Sequence, residues 1–363
     1  MTTKVVFCWS DISGYMAACW RALHSLPDID LFVVAFQART ETAFSAQLMA
    51  GLPCRLLDLQ ERDDPALIEQ IVAAQQPDVV VLCGWFHKPY RQLPANPRLR
   101  HVRFVMGMDT PWQGTARQFL APYALDSFLK RMDATVVAGE RSWQYARRLG
   151  VPSRKIVRGL YGVDAATWSP LLAQRRRRPW PRSFLFVGRY VEAKGIETMV
   201  AAYQQYWKDV IDPWPLICCG QGPMASFLRE VPGLQDRGFV QPQDLHSLFL
   251  NAGAFLLPSR FDPWPLALVE AAASGLPLVC TDACGSAVEV LRDGYNGFLA
   301  PADDAGILAA ALVAIHHYLD QLSEWGARSQ QLAAPYAAEI WAGRWRDLLL
   351  RLSDTGTRKD AGH

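Results

Sequence analysis

The chain runs through two successive series in which short apolar, β-branched runs alternate with helix-period stretches, and this alternation restricts the fold more than any other feature. A short run that is apolar on both faces has to be covered on both sides. Helical crossovers between parallel strands provide that cover. In the first series the strand-like runs are residues 4–8 (KVVFC), 30–36 (DLFVVAF), 78–83 (DVVVLC), 102–107 and 134–138. Helices are expected over 15–26, 66–76 and 141–149, the last stopped by Gly150. In the second series the strands are 183–187 (SFLFV), 215–219 (PLICC), 254–257 (AFLL) and 277–280 (PLVC), with helices over 195–208, 223–230, 243–251, 266–274 and 305–322. Between the two, Arg175 to Arg178 form a run of arginines flanked by Pro170, Pro179 and Pro181. Charge repulsion and proline oppose a packed element, so an exposed linker is expected there. Residues 336–352 read as an amphipathic helix. The expected division is an N-terminal Rossmann-like domain at 1–165, a linker at 166–182, a C-terminal Rossmann-like domain at 183–335, and a helix with a tail at 336–363.

With 363 residues, half of them hydrophobic, the chain suits two cores. The net charge of +2 is far from that of a nucleic-acid binder. Residues 1–170 carry 19 Lys and Arg against 15 Asp and Glu, an excess that suits an anionic membrane surface or acceptor, or is plain surface scatter. No apolar run approaches the roughly 20 residues of a membrane span, and the start of the chain enters a strand-like run without a signal-peptide pattern. The eight cysteines include no C-x-x-C, and their placement in apolar runs fits reduced, buried thiols. His and Cys are not at zinc-ligand spacing. A cytoplasmic protein is expected, with peripheral contact to the cytoplasmic membrane face as a further expectation.

Two clusters carry the chemistry. In the first (184–200, FLFVGRYVEAKGIETMV), a strand ends at Gly188, with Arg189 next and Lys194 five residues later, ahead of a helix. Ligands of open α/β sheets bind at the carboxyl ends of strands. Two cations there suit a diphosphate, Arg as a planar fork of donors and Lys as a point charge. In the second (256–279, LLPSRFDPWPLALVEAAASGLPLV), a strand ends near Pro258, and a loop carries Ser259 and Asp262 ahead of a helix starting near Pro265. The first amides of that helix can hold phosphate without a side chain, and Glu270, in its second turn, can reach ribose hydroxyls.

With these residues the sequence resembles the family 4 retaining glycosyltransferases of the GT-B fold. Ser259 and Asp262, then seven residues, then Glu270 and a small-residue helix follow the family pattern. Gly188, Arg189 and Lys194 match its G-R-x(4)-K. GQGP at 220–223, RGFV at 237–240, the run 282–299 and YGVD at 161–164 also match. The resemblance covers about residues 134–300. It implies an α/β GT-B fold, with two Rossmann-like domains facing across a cleft and the C-terminal helix crossing back to the N-terminal domain, where Trp341 and Trp345 would anchor one face. It implies a metal-independent, retaining hexosyl-type transferase with no cofactor. The substrates would be a UDP- or GDP-linked sugar donor and a glycan or lipid-linked acceptor, as in polysaccharide biosynthesis. Arg189, Lys194, Asp262 and Glu270 would be the catalytic set. Arg189 and Lys194 would neutralise the leaving diphosphate, Asp262 would bind the donor sugar, and Glu270 the ribose. Gly14, Gly188, Gly238, Phe239, Val240, Ser259, Trp264, Pro265, Leu266 and Ala267 would line the donor site.

Three departures from the pattern stand out. Asp262 replaces the usual Glu, and Pro265 replaces a Gly, removing one amide and fixing φ. The His of the usual N-domain His–Asp pair is absent from the run Met106-Gly107-Met108-Asp109, which leaves Asp109 as the candidate polar group in the cleft; His87 and His101 are candidates to substitute for it in space, but each reads better as a structural histidine. Asp28-Ile29-Asp30 looks like a metal-binding D-x-D but sits at a strand start, where it caps a turn. No close pair of carboxylates of the kind retaining glycosidases use is evident, so front-face attack, with the leaving phosphate taking the acceptor proton, is the expected route. Two other readings stay open: a sugar-nucleotide epimerase of the same build, and a non-catalytic sugar-nucleotide binder.

Overall fold

A computed structural model describes residues 2–10, 12–37 and 48–357. Asp11, which the sequence places in the first turn, lies outside them. The chain divides into two compact units, one running to Gly162 and resuming at Tyr336, the other spanning Val163–Pro335.

The first unit is a seven-stranded parallel sheet of β1 (Thr3–Trp9), β2 (Ile29–Phe36), β3 (Cys54–Leu57), β4 (Val79–Leu82), β5 (Arg103–Met108), β6 (Ala134–Val137) and β7 (Ile156–Arg158), in the order β3-β2-β1-β4-β5-β6-β7. Its central strands are buried on both faces, as their apolar runs require. The chain returns to this unit through the Ala338–Thr357 helix. The indoles of Trp341 and Trp345 are buried against Phe7 and donate to the carbonyls of Leu160 (2.9 Å) and Gly159 (3.1 Å) beyond β7. Only glycine fits at Gly162, because a Cβ there would come within 2.8 Å of Cys19 Sγ and 3.1 Å of Trp341 Cβ. Arg346 of the same helix pairs with Asp28, whose carboxyl is held low by that guanidinium. Half of the D-x-D look-alike is therefore a structural anchor, and among the described residues no His, Cys, Asp and Glu cluster could hold a metal.

The second unit has six parallel strands, β8 (Phe184–Val187), β9 (Leu216–Cys219), β10 (Leu234–Asp236), β11 (Ala254–Leu257), β12 (Leu278–Thr281) and β13 (Gly297–Ala300), in the order β10-β9-β8-β11-β12-β13. In both sheets the order reverses direction once, beside β1 in the first and beside β8 in the second, the Rossmann arrangement.

The expected linker at 166–182 is corrected. It belongs to the second unit and contains the helices Ala165–Trp168 and Pro170–Arg175. Arg175 is fully buried. It donates to the carbonyls of Ser274 (3.0 Å), Gly275 (2.9 Å) and Phe249 (2.7 Å), and its guanidinium lies 5.2 Å over Trp180. Arg176 and Arg178 reach the carbonyls of Ser323 and Leu250. Arg175 and Arg178 thus meet carbonyls at the C-terminal ends of two helices, where cations face the negative end of the dipole, while Arg176 binds Ser323 in the first turn of the Leu322–Ala333 helix. The expected helix at 305–322 is also corrected: it stops at His317, and a second helix, Leu322–Ala333, follows a 3-10 turn. The expected helix at 223–230 is a 3-10 segment, Pro223–Leu228.

Candidate active site

The two clusters follow β8 and β11, neighbours on either side of the reversal in strand order. Their loops diverge there and leave a crevice at the carboxyl edge. After β8, Gly188 and Arg189 lead through a short 3-10 turn, Glu192–Lys194, to Gly195, which takes φ +66° and starts the Ile196–Asp209 helix. A Cβ at Gly195 would lie 1.9 Å from the Pro258 carbonyl, so the two loops approach as closely as backbone allows. Amides of Arg260 and Phe261 complete the seam by donating to Ala193 O (2.9 and 3.1 Å).

The loop after β12 braces the β11 loop from the other side. Asp262 N donates to Ala283 O (3.3 Å), Gly285 N to Asp262 O (2.9 Å) and Ser286 Oγ to Pro265 O (2.9 Å); Thr281 Oγ1 donates to Ser259 O. Arg260 is committed to structure, gripped by Glu197 (3.1 Å), Glu192 (3.6 Å) and Asp303.

Within this frame Lys194 Nζ is paired with Asp262 Oδ2, both largely shielded, with side chains 17% and 12% exposed. Two residues given separate roles by the sequence, diphosphate and sugar, hold each other. Arg189 is exposed beside them and makes no ion pair among the described residues. Ser259 is fully buried, and its hydroxyl has no hydrogen-bond partner among the described residues. The Leu266–Ala273 helix follows with Pro265 at its N-cap and no side-chain cap, so its first amides are left for a ligand. Trp264 and Pro265 are buried; Leu266 and Ala267 are half-buried at the helix mouth.

Glu270 is half-buried in the second turn of this helix. Burial, and then the charge of Asp164, push its carboxyl up to about 8. Asp164 itself caps the Ala165–Trp168 helix through the amide (3.1 Å) and hydroxyl (2.7 Å) of Thr167. A carboxyl this ill-solvated gains from hydroxyl donors, as a ribose edge would offer.

On the far side of β8, the 237–240 loop is held by a chain of hydrogen bonds that starts from the buried Tyr190. Tyr190 Oη donates to Asp236 (2.7 Å), which also accepts from Gly238 N (2.8 Å), while Gly238 O accepts from Gly220 N (2.8 Å). Gly238 takes φ +62°, and Phe239 stays exposed with Val240 half-buried beside it. The sequence singled out the loop but not Tyr190 or Asp236, whose signal is only that each ends or follows a strand.

Among the described residues of the first unit, Gly14 opens the Gly14–His24 helix, with open space where a Cβ would stand. Asp109 follows β5 and accepts from Tyr161 Oη (2.9 Å). It lines a cavity of about 310 Å³ at the carboxyl ends of β4 and β5, together with Trp85, Gln113, Arg117 and Tyr145. Those four residues escaped the sequence reading because they carry no spacing signal. His87 packs edge-on between Phe36 and Tyr90 (4.8 and 4.4 Å), its pKa lowered by burial, and His101 is exposed.

The fold defines a two-domain α/β architecture of the GT-B kind. Residues 173–330 match the family described as "Glycosyl transferases group 1". A glycogen synthase of Mycobacterium tuberculosis is 34% identical over 157 residues, 41% of this chain and 37% of the synthase, so the matched part spans little more than a third of that relative. Whole-chain likeness appears in structures. Anabaena Alr3699/HepE, in complex with UDP, superposes with a TM-score of 0.75 at 14% identity, over 96% of this chain and 100% of that one. A glycosyltransferase from Rickettsia africae ESF-5 gives 0.76 at 13% identity, over 97% and 98%.

Proposed function

We propose that the chain is a family 4 glycosyltransferase that moves a sugar from a nucleoside-diphosphate donor to a glycan or lipid-linked acceptor with retention of configuration and without a metal. One observation carries this reading. Lys194, already paired with an acid, stands with Arg189, an orphaned buried Ser259 hydroxyl and an uncapped helix start around one strand-order reversal. Every group there is a donor or a cation awaiting an anion, apart from the single acid that occupies Lys194. The complex of Alr3699/HepE with UDP, found in a chain of the same fold, supports the choice of ligand.

In this reading Arg189, Lys194 and the first amides of the Leu266–Ala273 helix hold the two phosphates. As the bond from the anomeric carbon to the phosphate oxygen breaks, negative charge grows on that oxygen and these groups stabilise it. One well-placed group contributes about 3–4 kcal/mol. The acceptor oxygen forms the new bond on the same face, and its proton passes to the departing phosphate. Asp262 orients the sugar once Lys194 has turned to the diphosphate. Glu270 accepts from the ribose, and the loop held by Asp236 borders the base.

Thermal stabilisation by a panel of nucleoside diphosphates tests the reading. UDP or GDP should raise the melting temperature, while the matching monophosphate should do so much less. Indifference to all of them would remove the proposed donor site.

A further inference from the structure

Four of the five most exposed large hydrophobic side chains among the described residues lie on the segments that form one cavity of the first unit. Phe86 (63% exposed) belongs to its wall, and Phe119 (61%), Leu120 (66%) and Tyr123 (84%) stand on the Ala116–Ala124 helix. That helix has two edges of different character. Arg117, Gln118 and Ala121 face the cavity, and the three hydrophobics point to solvent. At positions i, i+1 and i+4 they share one helical face. The helix is firmly placed. Thr115 caps it, and Gln118, buried, donates to Pro111 O (2.8 Å) and accepts from Gln113 N (2.7 Å). Phe119 also meets Trp112 edge-on at 4.8 Å, and Arg148 covers the same indole at 4.7 Å.

A rigid helix that leaves three large apolar side chains in water is costly unless something covers them. The surrounding charges choose the cover. Lys88 and Arg91, just beyond Phe86, and Arg117 are exposed and make no ion pair among the described residues, and the nearby acid Asp126 is neutralised by Lys130 (2.8 Å). Asp63, exposed, lies 3.9 Å from His87 on the Lys88 side, so the cations that accompany the hydrophobics on the helix itself are led by Arg117. Exposed hydrophobics with free cations on the same segments suit the boundary of an anionic bilayer. The cavity beside them has a different lining. Asp109, Thr110 and Gln113 offer polar groups next to the ring of Trp85, a combination that fits a hydroxylated ring better than an acyl chain. Among the described residues no single helix is long and apolar enough to cross a membrane.

We propose that this mouth takes an amphiphilic acceptor, its sugar head in the cavity and its apolar tail in an anionic lipid surface on which Phe119, Leu120 and Tyr123 rest. The identity of the head as an acceptor rests on the glycosyl-transfer reading, whereas the lipid surface does not.

Sedimentation with vesicles tests the surface, using phosphatidylcholine alone and phosphatidylcholine mixed with phosphatidylglycerol. The wild type should sediment with the mixed vesicles. The combined variant Phe119→Ser, Leu120→Ser, Tyr123→Ser should bind them more than about tenfold more weakly, and Lys88→Glu with Arg91→Glu should erase the preference for phosphatidylglycerol. Unchanged thermal stabilisation by nucleoside diphosphate certifies that the triple variant is folded. Tyr123→Ser alone, a milder change at the most exposed position, should give a smaller loss. For the head, release of nucleoside diphosphate from the donor is followed with long-chain alkyl glycosides and with the same sugars lacking a chain. The wild type should favour the chain-bearing form by about tenfold or more in KM, and the triple variant should lose that preference. Wild-type protein left in the supernatant, or a triple variant that sediments equally well, overturns the surface. Equal KM for both acceptor forms overturns the amphiphile. If vesicles bind but no nucleotide does, the transfer reading falls and the surface stands.

Discussion

Replacing Asp262 by Asn removes one charge from the proposed donor site while keeping its volume. That charge is spent on Lys194, in a pair whose side chains are 17% and 12% exposed, too shielded for water to replace either partner freely. A diphosphate entering the crevice must draw Lys194 away. A hydrogen bond between charged groups in such a setting is worth about 1.5–3 kcal/mol, and each 1.4 kcal/mol is about tenfold in affinity. Asp262→Asn should therefore tighten free nucleoside diphosphate by about 10- to 100-fold. It should also lower kcat, because Asp262 is expected to orient the sugar during transfer. The two effects run in opposite directions, which no general loss of structure would produce. Calorimetry with the free nucleotide reads the first and steady-state kinetics the second. A double-mutant cycle localises the gain, since in a Lys194→Met background the same substitution should no longer tighten binding. Affinity that is unchanged or weaker in Asp262→Asn would refute the idea that Asp262 stands in for the diphosphate.

Two further outcomes follow from buried charge. Glu270 has its carboxyl pushed from 4.5 to about 8 in the folded protein, so the native state keeps a proton that the unfolded chain releases across that window. Stability without nucleotide should fall as pH rises from about 4.5 to 8 and level off above. Glu270→Gln should flatten that slope in thermal melts recorded across the range; an identical slope would mean that another group causes it. Arg175→Met would strand three buried carbonyls, those of Ser274, Gly275 and Phe249, at about 1–3 kcal/mol each. Denaturant unfolding should show a loss of roughly 3 kcal/mol or more, while Arg177→Met, on an exposed neighbour, should cost little.

The elements that were legible in the sequence are those whose signal is local. Central strands such as Val79–Leu82 and Ala254–Leu257 announce themselves because burial on both faces demands an apolar run. The edge strands Ile156–Arg158 and Leu234–Asp236 do not, since one side of each is free to be polar. The arginine run misled for a related reason. Its local chemistry says exposure, but the carbonyls that Arg175 satisfies lie 74 to 100 residues away, and no spacing rule reaches them. At the candidate site, motif spacing brought out Arg189, Lys194, Asp262 and Glu270. It could not show that Lys194 and Asp262 neutralise each other, nor that Asp164 sits close enough to press on Glu270. The cavity of the first unit was invisible for the same reason: its walls come from the loops after β4 and β5, the Ala116–Ala124 helix and Tyr145 of the Glu140–Arg148 helix, which share no pattern.

The central claim is that a nucleotide sugar is cleaved against Arg189 and Lys194 without a metal. Release of nucleoside diphosphate from a panel of UDP- and GDP-sugars, followed in excess EDTA with amphiphilic acceptors present, tests it most directly. The account predicts acceptor-dependent release by the wild type, and release slowed about 100-fold or more in both Arg189→Ala and Lys194→Ala. Wild-type rates in either variant, or activity that EDTA abolishes and Mg²⁺ restores, would contradict it.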